Sequence, residues 1–266
     1  MSDDLNPYQQ PEADVVKETP AAGALTLGGP NKVSVGQAVG WIGDGMKMLS
    51  GHWGVVIGAL VVTFVITMVL QFIPFIGPLA QPFLMVLLYA GLVKMFHRID
   101  TSNQSEFADL FAGFSERTGP LILLALAQLG VYVVFGLLIA GLALMFAGAG
   151  AFSASQGMDP AMMNGGLSAA LLVLVPVFLV LTVLVAFLFY FTVPLVMLTD
   201  LGPGKAMALS FKACLRNLLP IIVYGIVVVV IVAVAALPFL LGWLFVMPIM
   251  AGAYYLSFKQ VLTEQA

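Results

Sequence analysis

Long apolar runs constrain this chain more than any other feature. They lie at about 53–73, 79–96, 120–147, 167–198, 219–237 and 239–258, and each is near or above the roughly 20 residues that an α-helix needs to cross a bilayer core. Pro74, Gly77, Pro78 and Pro82 divide the first pair, and Pro238 with Gly242 divides the last. Proline lacks a backbone donor and clashes with the preceding turn, so these are points where a continuous helix breaks into a hairpin. With 61% hydrophobic and 9% charged residues, against about 25% charged in ordinary soluble domains, the chain is read as an all-α polytopic membrane protein with six transmembrane helices.

The basic residues test that map independently. Lys17, Lys32 and Lys47 precede the first span; Lys94, Arg98 and Arg117 lie between the second and third; Lys205, Lys212 and Arg216 lie between the fourth and fifth; Lys259 follows the sixth. All ten fall on one side, and of the thirteen acids only Asp159 is expected opposite. Lys and Arg concentrate in short cytoplasmic loops, so both termini are expected in the cytoplasm, with the chain in a bacterial inner membrane.

The spans also repeat. Trp41, Gly45 and Met48, then Phe107, Phe111 and Phe114, then Met207, Phe211 and Cys214 share i, i+4, i+7 spacing ahead of an outgoing span. Such spacing lines one helix face, which predicts three interfacial amphipathic helices. Asp44 and Lys47, Asp109 and Glu116, and Lys212 and Arg216 are then expected to face water. From Gly54 to Pro82 is 28 positions, as is Pro220 to Pro248, and Tyr89 and Tyr255 fall in register. The chain therefore reads as three hairpin repeats, each preceded by an interfacial helix. The middle unit spans 74 positions from Pro120 to Pro194, 46 more than its neighbours. Its long runs must tilt, kink at Pro176 or protrude, and the stretch 148–166, with Met158, Met162 and Met163, is expected to be an apolar loop at the outer surface.

Residues 1–34 read as a separate unit, a disordered acidic cytoplasmic tail, and residues 35–262 as the six-span domain. The tail holds Asp3, Asp4, Glu12, Asp14 and Glu18 against two lysines, and its polar, breaker-rich composition cannot offset the entropy of ordering. It lacks the charged start, apolar stretch and cleavage site of a secretory signal. The remainder balances eight acids with eight bases, leaving no basic field for nucleic acid. A single cysteine, Cys214, allows no internal disulfide.

The segments Trp41-Ile42-x-x-Gly45, Pro74-x-Ile76-Gly77-Pro78, Leu110-Phe111-Ala112-Gly113-Phe114 with Thr118-Gly119, and Pro194-Leu195-Val196 resemble those of a group of uncharacterised proteobacterial inner-membrane proteins. More distantly, they look like the membrane domain fused to some bacterial glycerophosphodiester phosphodiesterases. The resemblance covers about residues 36–262. It implies a six-span fold and no catalysis, since the soluble barrel of the phosphodiesterases, with its acidic metal site, has no counterpart here.

Residue inventory points away from enzymes. His52, His97 and one cysteine cannot build a structural zinc site, no Walker loop, dinucleotide fingerprint or nucleophile elbow occurs, and no metal or cofactor is expected. No span carries an ionisable residue away from its ends, which disfavours ion-coupled transport. Gln128 is the deepest amide, and Tyr132 lies one turn along on the same face. With Tyr190 or Tyr224 they form either the polar lining of a substrate cavity or an ordinary interhelical hydrogen bond of about 0.6 kcal/mol; residue types alone favour the bond. Gly136, Ala140, Gly141 and Ala147 make a small-residue face for helix packing, within the chain or between two copies.

Two functional classes remain. One is a non-enzymatic membrane protein that organises or senses the envelope, contacting membrane lipids and recruiting a protein partner through its tail. The other is a facilitator of lipid or small amphipathic molecule movement.

Overall fold

The computed structural model describes residues 25–157, 160–237 and 241–263. Residues 1–24 of the expected 1–34 tail, and Met158, Asp159 and Pro238, lie outside the described residues. Within them the chain is helical apart from an isolated bridge between Leu27 and Thr263. The helices are α1 (Val35–Met48), α2 (Trp53–Gln71), α3 (Ile76–Ser102), a 3₁₀ helix (Phe107–Phe114), α4 (Thr118–Ser155), α5 (Pro160–Phe189), α6 (Thr192–Leu198), α7 (Pro203–Arg216), α8 (Leu218–Ala236) and α9 (Leu241–Leu262). Among the described residues five stretches are long and apolar enough to cross a membrane: Trp53–Gln71, Ile76–Ser102, Thr118–Ser153, Leu174–Leu198 and Leu218–Ala236. The fold is all-helical and compatible with a membrane protein.

The central hairpin differs from its expected outline. Most of the 148–166 stretch is helical, because α4 continues to Ser155 and α5 starts at Pro160. Alanine is the best helix former, so a Gly/Ala run does not end a helix; Gly157, at φ 68°, does. With 38 residues α4 is roughly 57 Å long. The fourth run, expected as one span over 167–198, breaks between α5 and α6. Pro194 has no N–H for the Tyr190 carbonyl four residues back, and Ser210 of α7 enters the gap. Its hydroxyl accepts from the Phe191 N–H at 2.9 Å and donates to the Phe187 carbonyl at 2.8 Å.

The short helices pack on long ones in a regular order. α1 lies against α9 and α8, the 3₁₀ helix against α3, and α7 against α5 and α6. Glycines permit the closest approaches. A Cβ on Gly91 of α3 would overlap the Leu110 carbonyl, one on Gly113 would overlap the Leu87 carbonyl, and one on Gly45 of α1 would sit 2.7 Å from the Ala253 nitrogen of α9. Gly136 and Gly141, expected at a packing face, have nothing within 4 Å.

The second amphipathic helix departs from its predicted facing. Three residues per turn rather than 3.6 put Asp109 with Ala112, and Leu110 with Gly113, on the inner side, where all four are buried. Asp109 therefore does not face water but accepts from Arg98 at 3.0 Å. Phe107, Phe111 and Phe114 form an outward row with ring centroids 6.2 and 6.3 Å apart. In α1 the expected pattern reappears with a different covering: Trp41 and Gly45 are buried against protein, while Asp44 and Lys47 pair on the exposed side.

Ion pairs gather at one end of the bundle, where α3 and α9 finish and α4 begins. Lys94 meets Glu116 at 2.9 Å, Arg117 meets Asp200 at 3.4 Å, and Lys259 meets Asp100 at 2.6 Å. Tyr255 donates to Asp100 at 3.0 Å and contacts His97 Nδ1 at 3.0 Å. His52 is held by Ser105 and Asn103. Among the described residues no cluster could hold a metal ion.

Residues 25–34, which composition assigns to the tail, run as a strap across this charged end. Gly28 and Asn31 donate their N–H groups to the Leu262 and Val261 carbonyls at 3.1 and 2.8 Å. Buried Asn217, joining α7 to α8, accepts from the Val33 N–H at 2.9 Å and donates to the Asn31 carbonyl at 2.8 Å. Local composition misses this strap because its partners are some 180 to 230 positions away along the chain.

Cys214 is fully enclosed on α7, and burial pushes its thiol up to about 12. Thiolate is the reactive form, so maleimide at pH 8 should label the folded chain at least a hundredfold more slowly than the chain unfolded in SDS. Equal rates would place Cys214 on an open surface.

Candidate functional site

The chemistry-bearing groups away from the charged end converge on one cleft. It has a volume of about 720 Å³ and lies between α3, α4, α5 and α9, within the usual size range of ligand pockets. α4 supplies Gln128 and Tyr132, one helical turn apart as their spacing requires. α3 supplies Gln81 and Tyr89, α5 is followed by Tyr190, and α9 supplies Tyr254.

Pro194 explains how the inner wall is built. The Tyr190 carbonyl it leaves without a helical donor accepts from the Tyr254 hydroxyl. That bond draws three aromatic rings together: Tyr254 lies 5.5 Å from Tyr190 and 5.3 Å from Tyr89. At the other end of the cleft, Pro82 leaves the Pro78 carbonyl without its helical N–H in the same way, and both prolines line the cleft. Gln71 of α2 donates to Gln81 Oε1 at 2.7 Å, which fixes the hairpin and leaves the Gln81 amino group for the cleft.

Gln128 is the residue on which the two sequence readings of this region differ. No described residue hydrogen-bonds its amide or the Tyr132 hydroxyl, and both side chains line the cleft. Among the described residues no interhelical hydrogen bond to Gln128 is made. The amide instead presents a donor pair and an acceptor to open space.

Three of the four sequence candidates, Gln128, Tyr132 and Tyr190, meet in this cleft. Tyr224 does not. It stands edge-on to Trp41 at 5.2 Å and lines a second cleft of about 660 Å³ between α5, α8 and α9. Ala186, Tyr190 and Tyr254 belong to both clefts and form the partition between them. A third, of about 290 Å³, lies between α2, α3 and α9 and shares Met85 and Tyr89 with the first. Sequence reading passed over Gln81, Tyr89 and Tyr254 as members of the site. Gln81, set between Pro78 and Pro82, is the one that a search for amides beside orphaned carbonyls would have found.

A family model described as a domain of unknown function (DUF7847) matches residues 76–266, well over half of the chain. The chain belongs to that family. The match begins at α3, so α1 and α2 precede it, and every residue of the Gln128 cleft falls within the DUF7847 region. No curated protein and no solved structure matches the chain. The cleft is thus a feature of the DUF7847 part of the molecule, and its chemistry rests on hydrogen bonding by neutral groups.

Proposed function

We propose that this chain is a non-enzymatic integral membrane protein that admits lipid or small amphipathic molecules from the bilayer into the Gln128 cleft and facilitates their movement. The observation that carries the reading is an amide lining an open cleft with no hydrogen-bond partner among the described residues. In hydrocarbon such a group is costly unless something bonds it, and an amphiphile entering from the side can do so.

The setting we propose is a bacterial inner membrane, crossed six times, with both termini cytoplasmic. α9, 22 residues long and without a charge before Lys259, serves as the sixth span. The one-sided lysines and arginines orient the bundle by the positive-inside rule. Three units compose it, and the order of packing supports them: each short helix sits on the returning long helix of the unit before, and α1 closes the ring on α9. The likeness to proteobacterial inner-membrane proteins and, further off, to the membrane domain of glycerophosphodiester phosphodiesterases accords with this.

The test pairs stability in detergent with flux in reconstituted vesicles. Gln128→Leu should melt close to wild type, because no protein bond is lost, while transfer of a fluorescent lipid analogue falls about tenfold or more. A wild type that moves no member of a broad lipid and amphiphile panel would remove the facilitator reading.

A second reading, envelope organisation or sensing through a protein partner on the acidic tail, has one observation in its favour. The strap over 25–33 ties the residues that follow the tail to α9 and Asn217, so a force on the tail would reach the bundle. Deleting residues 2–24 would abolish that function and leave lipid flux intact.

A further inference from the structure

The walls of the two adjoining clefts carry information about the molecule they would hold. We propose that the ligand is a lipid with an uncharged, hydrogen-bonding head, its head against Gln128 and Tyr132 and an acyl chain in the neighbouring cleft; this rests on the cleft being the site of amphiphile uptake.

No Lys, Arg, Asp, Glu or His lines either cleft. Four cations are engaged at the charged end: Lys94 with Glu116, Arg98 with Asp109, Arg117 with Asp200, and Lys259 with Asp100. A phosphate placed beside Gln128 would lose its hydration with no countercharge in return, a cost that isolated buried ions do not recover. A hydroxyl or ester carbonyl meets no such penalty. The Gln128 amide can both donate to it and accept from it, and the hydroxyl of Tyr132, a residue that is 57% exposed, can do the same.

The second cleft suits the rest of such a molecule. Its walls are largely aliphatic, with Val183, Ile221, Ile222 and Val229. Of the three residues shared by both clefts, Ala186 has the smallest side chain, a single methyl. A lipid lying across Ala186 would place its polar end in the first cleft and a chain in the second.

The experiment compares two photoreactive lipids with the same acyl chains, a diacylglycerol and a phosphatidic acid, on the full chain in nanodiscs. They differ only in the phosphate. The diacylglycerol should bind at least tenfold more tightly, crosslink to α4 and α5, and lose about tenfold in affinity in Gln128→Leu with Tyr132→Phe. Ala186→Trp, which fills the partition from an exposed position, should reduce its binding as strongly while the melting temperature stays near wild type; this variant answers the question even if the double substitution does not fold. Phosphatidic acid binding as tightly, and with the same dependence on Ala186, would overturn the uncharged head while leaving the cleft as the uptake site. Binding of both lipids unchanged by either variant would overturn the site and the facilitator reading with it.

Discussion

Gly91→Val should prevent this chain from accumulating in folded form. A Cβ at that position overlaps the Leu110 carbonyl and lies 2.8 Å from the Asp109 carbonyl oxygen, so the obstruction is backbone, which cannot swing aside as a side chain can. Overpacking of this kind costs about 3 kcal/mol or more. The loss would fall on the contact between α3 and the 3₁₀ helix, and would also disturb Asp109, which Arg98 reaches from α3. Gly113→Ala tests the same contact from the other side, where its Cβ would overlap the Leu87 carbonyl. Gly130→Ala and Gly136→Ala are the controls. Both lie on α4 with nothing within 4 Å, and alanine in an open helical site should stabilise by about 0.5 to 1 kcal/mol. Thermal unfolding in detergent reads all four. If Gly91→Val melted like the α4 controls, the close approach of the 3₁₀ helix to α3 would be wrong.

Trp41→Ala should cost about 3 kcal/mol, the low end for removing a buried tryptophan. Trp41 is fully enclosed where α1 meets α8 and α9, its indole N–H donates to Gln260 Oε1 at 2.8 Å, and Tyr224 abuts it edge-on. Most of the loss is packing, since alanine leaves a cavity beside Tyr224 that neighbouring backbone cannot fill. Trp41→Phe separates the terms: it keeps much of the volume and forfeits only the hydrogen bond, so it should cost about 1 kcal/mol. Two variants with equal melting temperatures would mean that the bond to Gln260, and not the packing of α1 on α9, is what Trp41 contributes. Because the strap over 25–33 also rests on the end of α9, Trp41→Ala should in addition speed proteolysis in that segment.

Local pattern made the helices legible, and it did so for physical reasons that operate over a few residues. Apolar length sets which segments can span a bilayer, and the positions of Pro82, Pro194 and Pro248 mark where helical hydrogen bonding is interrupted. The break between α5 and α6 was not read, although Pro194 foretells an orphaned carbonyl at Tyr190. What ends the helix there is Ser210, which arrives from another helix. The loop expected over 148–166 was misread because small residues were taken for a loop, whereas alanine favours helix unless a residue such as Gly157 takes a positive φ.

The candidate site was half visible. Gln128 and Tyr132 could be paired from their spacing, and Tyr190 was named beside them, yet Tyr224 belongs to the neighbouring cleft and Gln81, Tyr89 and Tyr254 were absent from the set. Spacing places residues on one face of one helix; it cannot say which face another helix covers.

The sequence by itself determined that the chain is helical, that several helices are of membrane length, and that deep amides are few enough for Gln128 to stand out. Only the tertiary structure decided that Gln128 has no partner among the described residues, that Tyr254 answers the carbonyl freed by Pro194, and that residues 25–33 bind the end of α9. Each of those facts joins residues distant along the backbone, 64 positions for Tyr190 and Tyr254 and 184 for Val33 and Asn217. Propensity and periodicity act within a few turns, whereas the meeting of distant groups depends on how whole helices pack, which here is set by where glycine lets two backbones come close.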